Sequence, residues 1–166
     1  MFFPTDATRK DILLVEDDVA QSDLLTRWIE TSSSFKVSVA ASSRIANELM
    51  DARPWALLIA DIGLPDEDGF AVMRRARERR PGLPVVIITG SDEPTLGQQS
   101  IDHQANDFLR KPLAPAFGNR RLQDRAHDHV LRESERARGA LEAACNYVLR
   151  NAERSSFTES WQDWPS

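Results

Sequence analysis

A short apolar run that ends in a single carboxylate constrains the fold of this chain most. The residues from Trp55 to Ala60 are all apolar, and Asp61 follows them. Such a run is typical of a strand buried on both faces of a parallel sheet. A segment rich in Gly, Pro and Asp comes next, and a helical pattern begins at Gly69. Because ligands bind beyond the carboxyl ends of such strands, Asp61 is a candidate nucleophile or metal ligand. The alternative is a loop aspartate that caps the next helix.

Four more short runs predict strands, and helical patterns separate them. This alternation predicts right-handed β-α-β units and therefore an α/β, doubly wound, five-stranded parallel sheet with helices on both faces. The predicted strands are Asp11–Glu16, Phe35–Ala40, Trp55–Ala60, Pro84–Thr89 and Asn106–Arg110. The predicted helices are Val19–Thr31, a short helix that ends at Met50, Gly69–Arg80 and Pro94–His103.

One long helix is predicted from about Ala114 to about Arg154. It exceeds what one sheet can cover, so we expect its distal half to need another partner. Its interleaved Arg and Glu residues favour a dimerising or signal-transmitting coiled coil over a solvated linker. A polar tail with Trp161 and Trp164 follows over residues 155–166.

Bulk composition restricts the class of partner. The chain has 166 residues, a net charge of −5 and one cysteine, Cys145. The negative charge predicts no nucleic-acid partner, and the absence of a long apolar run predicts no membrane insertion. The single cysteine and the lack of a signal-peptide pattern at the start favour the cytoplasm.

Polar side chains occupy four predicted strand ends. Glu16 and Asp17 end the first strand, Asp61 follows the third, Thr89 ends the fourth and Lys111 follows the fifth. Carboxyl ends of parallel strands meet at one rim, so these residues are expected to converge. Taken singly, the two acids could be exposed residues before a helix, Thr89 a helix cap and Lys111 a surface lysine.

The converging residues suit phosphoryl transfer. Three close carboxylates repel one another, and a hard divalent cation such as Mg²⁺ or Mn²⁺ would relieve that repulsion. A lysine ammonium can balance a further anion, and a threonine hydroxyl can donate to an oxyanion. Together these groups fit transfer of a phosphoryl group onto Asp61.

At this point the chain resembles the receiver domain of two-component response regulators. The resemblance covers about Lys10 to Arg125, and we predict the domain over residues 8–125. Helical extension 126–154 and tail 155–166 would follow it. The motifs are Leu-Leu-Val-Glu-Asp-Asp at 13–18, Ala-Asp-Ile-Gly-Leu-Pro-Asp-Glu-Asp-Gly at 60–69, Val-Val-Ile-Ile-Thr-Gly at 85–90 and Asp-Phe-Leu-Arg-Lys-Pro at 107–112.

The resemblance implies a flavodoxin-like strand order of 2-1-3-4-5 and a role for each acid. Asp61 would accept a phosphoryl group from a histidine kinase or a histidine phosphotransfer protein. Asp17 and Asp61 would bind Mg²⁺ directly, Glu16 would bind it through water, and Gly63 would contribute its backbone carbonyl.

The resemblance also implies a switch. Thr89 would be the switch hydroxyl, and Phe108 would be the switch aromatic in place of the commoner tyrosine. Lys111 would pair with the phosphate, and its peptide bond to Pro112 would be cis, a form found almost only before proline. The output would be altered protein association, with a homodimer through the C-terminal helix as one form.

Two alternatives to this function stay open. The first is a phosphohydrolase with Asp61 as its turnover nucleophile, for which the loop acids Asp66, Glu67 and Asp68 would have to supply a general acid or base. The second is a receiver-like adaptor that works without phosphorylation. On the main interpretation the protein is a phosphoacceptor, whose only chemistry is self-catalysed phosphotransfer and slow autodephosphorylation.

Overall fold

The computed structural model describes residues 11–90, 105–111 and 124–152, and in the last helix it describes the side chains of 135–150. The predicted helix 94–103, the Lys111–Pro112 bond and the tail 155–166 lie outside these residues. The strands are β1 (Asp11–Val15), β2 (Lys36–Ala40), β3 (Leu57–Asp61), β4 (Val85–Thr89) and β5 (Asp107–Arg110). The helices are α1 (Val19–Ser32), α2 (Ser43–Ala52), α3 (Gly69–Arg79) and α4 (Asp124–Ala152).

The five strands form one sheet in the order β2-β1-β3-β4-β5, and all four pairings are parallel. The predicted doubly wound fold and its flavodoxin-like strand order are therefore confirmed. Every residue of β3 and β4 is buried, as expected for central strands covered on both faces. The edge strand β2 is more exposed, which accounts for its alternating sequence pattern.

Each face of the sheet has its own hydrophobic core. Side chains of consecutive strand residues point to opposite faces, so Leu13 and Leu14 belong to different cores. One core packs beneath α2 and α3, with Phe70 and Met73 among its largest buried members. The other lies beneath α1 and α4 and includes Leu25. Because all the strands run in parallel, their carboxyl ends meet at one rim of the sheet.

The C-terminal helix packs on the sheet, which differs from the sequence-based expectation for its distal half. Five of its side chains are at most 3% exposed and lie in the same core as β1, β3 and β4: Ala137, Leu141, Ala144, Cys145 and Val148. Burial raises the pKa of the Cys145 thiol to about 12, so the thiol stays neutral at neutral pH. The apolar stripe of this half of α4 is therefore covered by the chain's own core.

Short polar contacts fix the starts of α1 and α2 near the rim. Asp18 caps α1, accepting a hydrogen bond of 2.9 Å from the Gln21 amide. Ser42 caps α2 in the same way through the Ile45 amide. Such caps satisfy amides that the first turn leaves without a partner. No helix within the described ranges has the length and apolar character needed to cross a bilayer.

Candidate functional site

The residues predicted to converge lie together at the carboxyl rim of the sheet. Glu16 follows β1 directly, Asp61 is the last residue of β3, and Lys111 follows β5. Thr89 ends β4, and its carbonyl accepts a hydrogen bond of 2.7 Å from the Lys111 amide. The parallel order of β1, β3, β4 and β5 thus brings together residues that are up to 95 positions apart.

Lys111 bridges two of the carboxylates. Its Nζ lies 2.7 Å from Asp61 Oδ2 and 3.1 Å from Glu16 Oε2. Its side chain is only 16% exposed, so solvent screens these ion pairs weakly. Burial disfavours the charged ammonium, but the hydrogen bonds and charges of Asp61 and Glu16 outweigh it and raise the pKa of Lys111. The lysine therefore stays protonated and holds its charge against Asp61.

Glu16 is a carboxylic acid whose burial disfavours its charged form. Its residue is 1% exposed, and desolvation raises the pKa of its carboxyl, with the nearby Asp61 charge adding to the effect. The Asp18 amide donates a hydrogen bond of 3.1 Å to Glu16 Oε1 and opposes the shift, as does Lys111. The other oxygen, Oε2, has the Lys111 ammonium at 3.1 Å but accepts no hydrogen bond of good geometry from the described residues. A second cation close to that oxygen would further relieve the cost of burying the charge.

The three acids form a group that can hold a metal ion. Oxygens from Glu16, Asp17 and Asp61 all lie within 4.8 Å of one another. Glu16 and Asp61 are buried, whereas Asp17 is exposed, so the group opens to solvent on one side. Carboxylate oxygens are the ligands of hard divalent cations, and the one lysine leaves this group with excess negative charge. The donor set therefore fits the cation that the sequence predicts.

The loop after Asp61, residues 62–68, is folded tightly around it. The Gly63 amide donates a hydrogen bond of 3.1 Å to Asp61 Oδ1, and Gly63 forms an antiparallel bridge with Asp68. Gly69 is required by space, because a Cβ there would lie 2.1 Å from the Asp61 carbonyl oxygen. Asp68 caps α3 through the Phe70 amide at 2.8 Å. Both carboxylate oxygens of Asp61 thus have defined partners, Gly63 and Lys111.

The two predicted switch residues differ in burial. Thr89 is 2% exposed, at the end of a central strand. Phe108 is partly buried and packs against the core beneath α2 and α3. Its neighbour on β4 is Ile87, two residues before Thr89. The two side chains therefore belong to adjacent strands, with Phe108 two positions further from the carboxyl rim than Thr89, and their switch roles stay a prediction.

Sequence analysis missed one contact at this rim. It named Asp66 only among the loop acids that a phosphohydrolase would need, but the structure shows its carboxylate bound to the start of α2. The partner residues lie 22 and 23 positions earlier in the chain. No local pattern signals a contact over that distance.

The chain matches known proteins over most of its length. The family model described as "Response regulator receiver domain" matches residues 12–123. The transcriptional regulatory protein BasR of Escherichia coli (strain K12) is 37% identical over 103 residues, which are 62% of this chain and 46% of BasR. The transcriptional regulatory protein PmrA of Pectobacterium parmentieri is 34% identical over 104 residues, again 62% and 46%. The chain thus spans about half the length of these curated relatives.

Solved structures share the fold. The signal receiver domain of a signal transduction histidine kinase from Syntrophus aciditrophicus superposes with a TM-score of 0.66 at 20% identity, over 91% of this chain and 97% of that one. At this identity the likeness establishes the fold alone. The family model, the relatives and the converging rim residues agree: the chain belongs to the family of response regulator receiver domains and is homologous to two-component response regulators.

Proposed function

We propose that Asp61 is the phosphoacceptor of a two-component phosphorelay. Its donor would be the phosphohistidine of a histidine kinase or a histidine phosphotransfer protein. The observation that carries the proposal is the contact of 2.7 Å between Lys111 Nζ and Asp61 Oδ2 within a cluster of three carboxylates. An ammonium in contact with a nearly buried carboxylate beside two further acids is the arrangement that transfer of an anionic group to Asp61 needs.

In the proposed reaction, a carboxylate oxygen of Asp61 attacks phosphorus. The new phosphorus–oxygen bond forms as the phosphorus–nitrogen bond to the donor imidazole breaks, and the imidazole leaves with the electron pair. Negative charge spreads over the phosphoryl oxygens during transfer. Lys111, already charged beside Asp61, neutralises part of it and then pairs with the phosphate. Gly63 holds Asp61 in place through its amide.

We infer that Mg²⁺, or Mn²⁺ in its place, completes this site. Asp17 and Asp61 would bind the ion directly, Glu16 would bind through a water, and the Gly63 carbonyl would be the backbone ligand. When bound, the ion would neutralise the carboxylates and the oxygens of the incoming group. The buried Glu16 carboxylate, with its raised pKa and an oxygen without a hydrogen bond, supports a cation at this position.

The switch follows from the new charge. A phosphoryl group on Asp61 adds acceptor oxygens at the rim, so the Thr89 hydroxyl is drawn toward it. Phe108 then repacks behind Thr89 because the two lie on adjacent strands. This biases the surface formed by β5 and the segments that flank it, where a downstream protein would bind.

A cytoplasmic location stays a prediction from the sequence.

Labelling by a small phosphodonor tests the phosphoacceptor. Incubation with acetyl phosphate and Mg²⁺ should add one phosphoryl group per chain, as measured by intact mass, and chelation should prevent it. Asp61→Asn should abolish the label. The control Asp23→Asn changes an exposed aspartate of α1 in the same way and should leave the label unchanged. Full labelling of Asp61→Asn would refute the proposal.

The same experiment separates a signalling domain from the two alternatives. A phosphoacceptor holds a stoichiometric phosphoryl group that is lost slowly, whereas a phosphohydrolase releases phosphate continuously from a phosphate ester. A phosphate-independent adaptor takes up no label. We propose the first behaviour, in which the only chemistry is phosphotransfer and slow autodephosphorylation.

We propose that residues 126–154 form a signalling helix whose residues 137–148 are anchored on the receiver sheet. Their apolar side chains are already buried, so dimerisation through α4 would use the turns before Glu135. Light scattering of the full chain with Mg²⁺, with and without beryllofluoride, tests a phosphorylation-dependent dimer. Ending the chain at Arg125 would remove core residues such as Leu141, so it cannot serve as a control.

Transcriptional regulation is named for the longer relatives, and we still predict no nucleic-acid partner here.

A further inference from the structure

We propose that Asp66 is a positioning residue for the loop of residues 62–68, and that it acts by fastening this loop to the start of α2. This inference rests on the proposed function, in which Gly63 of the same loop binds the metal and Asp61 accepts the phosphoryl group. Asp66 itself would touch neither the metal nor the phosphoryl group.

One carboxylate makes three hydrogen bonds across the domain. Asp66 Oδ1 accepts 2.9 Å from the Ser43 amide, and Oδ2 accepts 2.9 Å from the Ser43 hydroxyl and 3.1 Å from the Arg44 amide. Ser43 is only 5% exposed, whereas Asp66 itself is exposed, so a surface carboxylate is held by a largely buried partner. The hydrogen bond from the Ser43 amide is the main cause that lowers the pKa of Asp66, so the acceptor stays ionised at neutral pH.

The helix has its own cap and does not depend on Asp66 for all of its first turn. The Ile45 amide donates to Ser42 Oγ at 3.3 Å, and the Ala46 amide donates to the Ser42 carbonyl at 3.0 Å. Asp66 satisfies the two preceding amides, which would otherwise turn to water. The contact therefore links a helix that Ser42 already caps to the loop of residues 62–68. Loss of the contact should affect the position of the loop more than the stability of the helix.

Most of the loop's other contacts run to its own neighbours in sequence, although the Ile62 amide donates 2.9 Å to the Ile88 carbonyl of β4 and Glu67 also interacts with the Ser43 side chain. Gly63 is held by Asp61 and by the bridge to Asp68, and Glu67 pairs with Arg75 of α3. These contacts fasten the loop to β3 and α3, the elements it joins. The bonds of Asp66 add a third direction, toward α2, which lies beside α3 on the same face of the sheet. We expect contacts to β3, α3 and α2 together to hold the backbone at Gly63 in one position. A metal ligand that is already held in place binds the metal more tightly than one that must first be ordered.

Calorimetric titration of the full chain with Mg²⁺ is the test. Asp66→Ala should weaken Mg²⁺ binding by about three- to tenfold, less than for a direct neighbour of a metal ligand. Asp66→Asn keeps one acceptor oxygen and should lie between Asp66→Ala and wild type. Labelling with acetyl phosphate at saturating Mg²⁺ should stay close to wild type, because the reacting groups are intact. In the metal-free protein, the Gly63 amide should lose hydrogen-exchange protection.

Ser42→Ala is the matched control, because it weakens the start of α2 without touching the loop. It should leave Mg²⁺ affinity within twofold of wild type. Equal affinity for Asp66→Ala and wild type would overturn the inference, and so would an equal loss in Ser42→Ala. Failure of wild type to bind Mg²⁺ or to be labelled would instead overturn the proposed function, and the inference with it. The two failures are therefore distinguishable.

Discussion

The two rims of the sheet differ in how their acidic side chains are paired with basic ones. At the carboxyl rim, Glu16 and Asp61 share one lysine, and burial raises the pKa of Glu16. At the amino rim, Arg53 pairs with Asp11 at 3.0 Å and donates 2.8 Å to the Ser38 hydroxyl. Its guanidinium also lies 4.1 Å from the centroid of the Trp55 ring. Among the described residues, Asp11 at the amino rim has its own arginine, whereas Glu16, Asp17 and Asp61 at the carboxyl rim have one lysine between them.

This difference predicts that the amino rim contributes mainly to stability and the carboxyl rim mainly to function. Trp55 is 3% exposed, its indole donates 3.1 Å to the Leu49 carbonyl, and its own carbonyl accepts 2.6 Å from Arg80. Satisfied buried groups of this kind stabilise the fold. Crowded carboxylates do the reverse, and groups of this kind cluster at functional sites. Substitutions at the amino rim should therefore change stability alone, and substitutions at the carboxyl rim should change chemistry.

The largest effect is expected at the amino rim. Trp55→Ala removes a buried aromatic ring and should lower the free energy of unfolding by about 3–5 kcal/mol. Urea denaturation followed by circular dichroism measures the loss. Trp55→Phe keeps most of the ring and should lose less, so it carries the test if the alanine variant does not fold. Labelling per folded molecule should equal that of wild type; a labelling defect in folded Trp55→Phe would contradict the separation.

Lys111→Met is the counterpart at the carboxyl rim. The ammonium that neutralises the transferring group is lost, so the labelling rate at saturating Mg²⁺ should fall by about 10²–10³-fold. Mg²⁺ affinity should be unchanged or higher, because the carboxylates lose a competing cation. Rapid-quench labelling and calorimetry measure the two quantities separately. Parallel loss of affinity and rate would mean that Lys111 acts mainly by holding the acids in place.

The sheet and most of the site could be predicted because their signals are local. Buried parallel strands read as unbroken apolar runs, as in β3 and β4, and their carboxyl ends must share a rim. The sequence alone therefore predicts that the polar residues at those ends lie close together. The rim residues Glu16, Asp61, Thr89 and Lys111 lie together as that argument expected.

What could not be predicted depends on distant surfaces. The apolar stripe of α4 predicts a helix with a covered face, but a period of 3.6 residues does not say which surface covers it. Residues 112–136 separate Lys111 from Ala137, the first core residue in the described part of α4, so sequence spacing does not fix where α4 packs. The three bonds of Asp66 to the start of α2 are likewise set by the fold and by no motif.

Glu16→Gln tests the cost of the unbalanced charge. Because the folded pKa of Glu16 is raised, the folded protein binds the proton more tightly than the unfolded chain does. Wild-type stability without metal should therefore fall as pH rises from the unfolded pKa through the raised one, and the loss persists at neutral pH. Glutamine carries no charge, so it should flatten this slope and stabilise the metal-free protein at neutral pH by about 1 kcal/mol.

Mg²⁺ should reverse that ranking. Saturating Mg²⁺ stabilises wild type by mass action, and the glutamine variant binds the ion less tightly and gains less. Denaturation at several pH values, with chelator and with Mg²⁺, measures both effects. Equal destabilisation of Glu16→Gln in both conditions would mean that Glu16 supports the fold and that the carboxyl rim is no less balanced than the amino rim.

The smallest effect is expected for Arg53→Met, which keeps an apolar stem over Trp55 but removes the charge. The side chains of Arg53 and Asp11 are 37% and 27% exposed, so solvent screens their ion pair. The loss of unfolding free energy should stay below about 1 kcal/mol, and labelling should not change. Arg44→Met, which removes the exposed pair with Glu48, is the control and should be nearly neutral. A double-mutant cycle of Arg53 and Asp11 isolates the pair. A loss well above the control would show that a balanced rim stabilises the fold through its ion pair; a loss equal to the control would leave that role to the buried Trp55 alone.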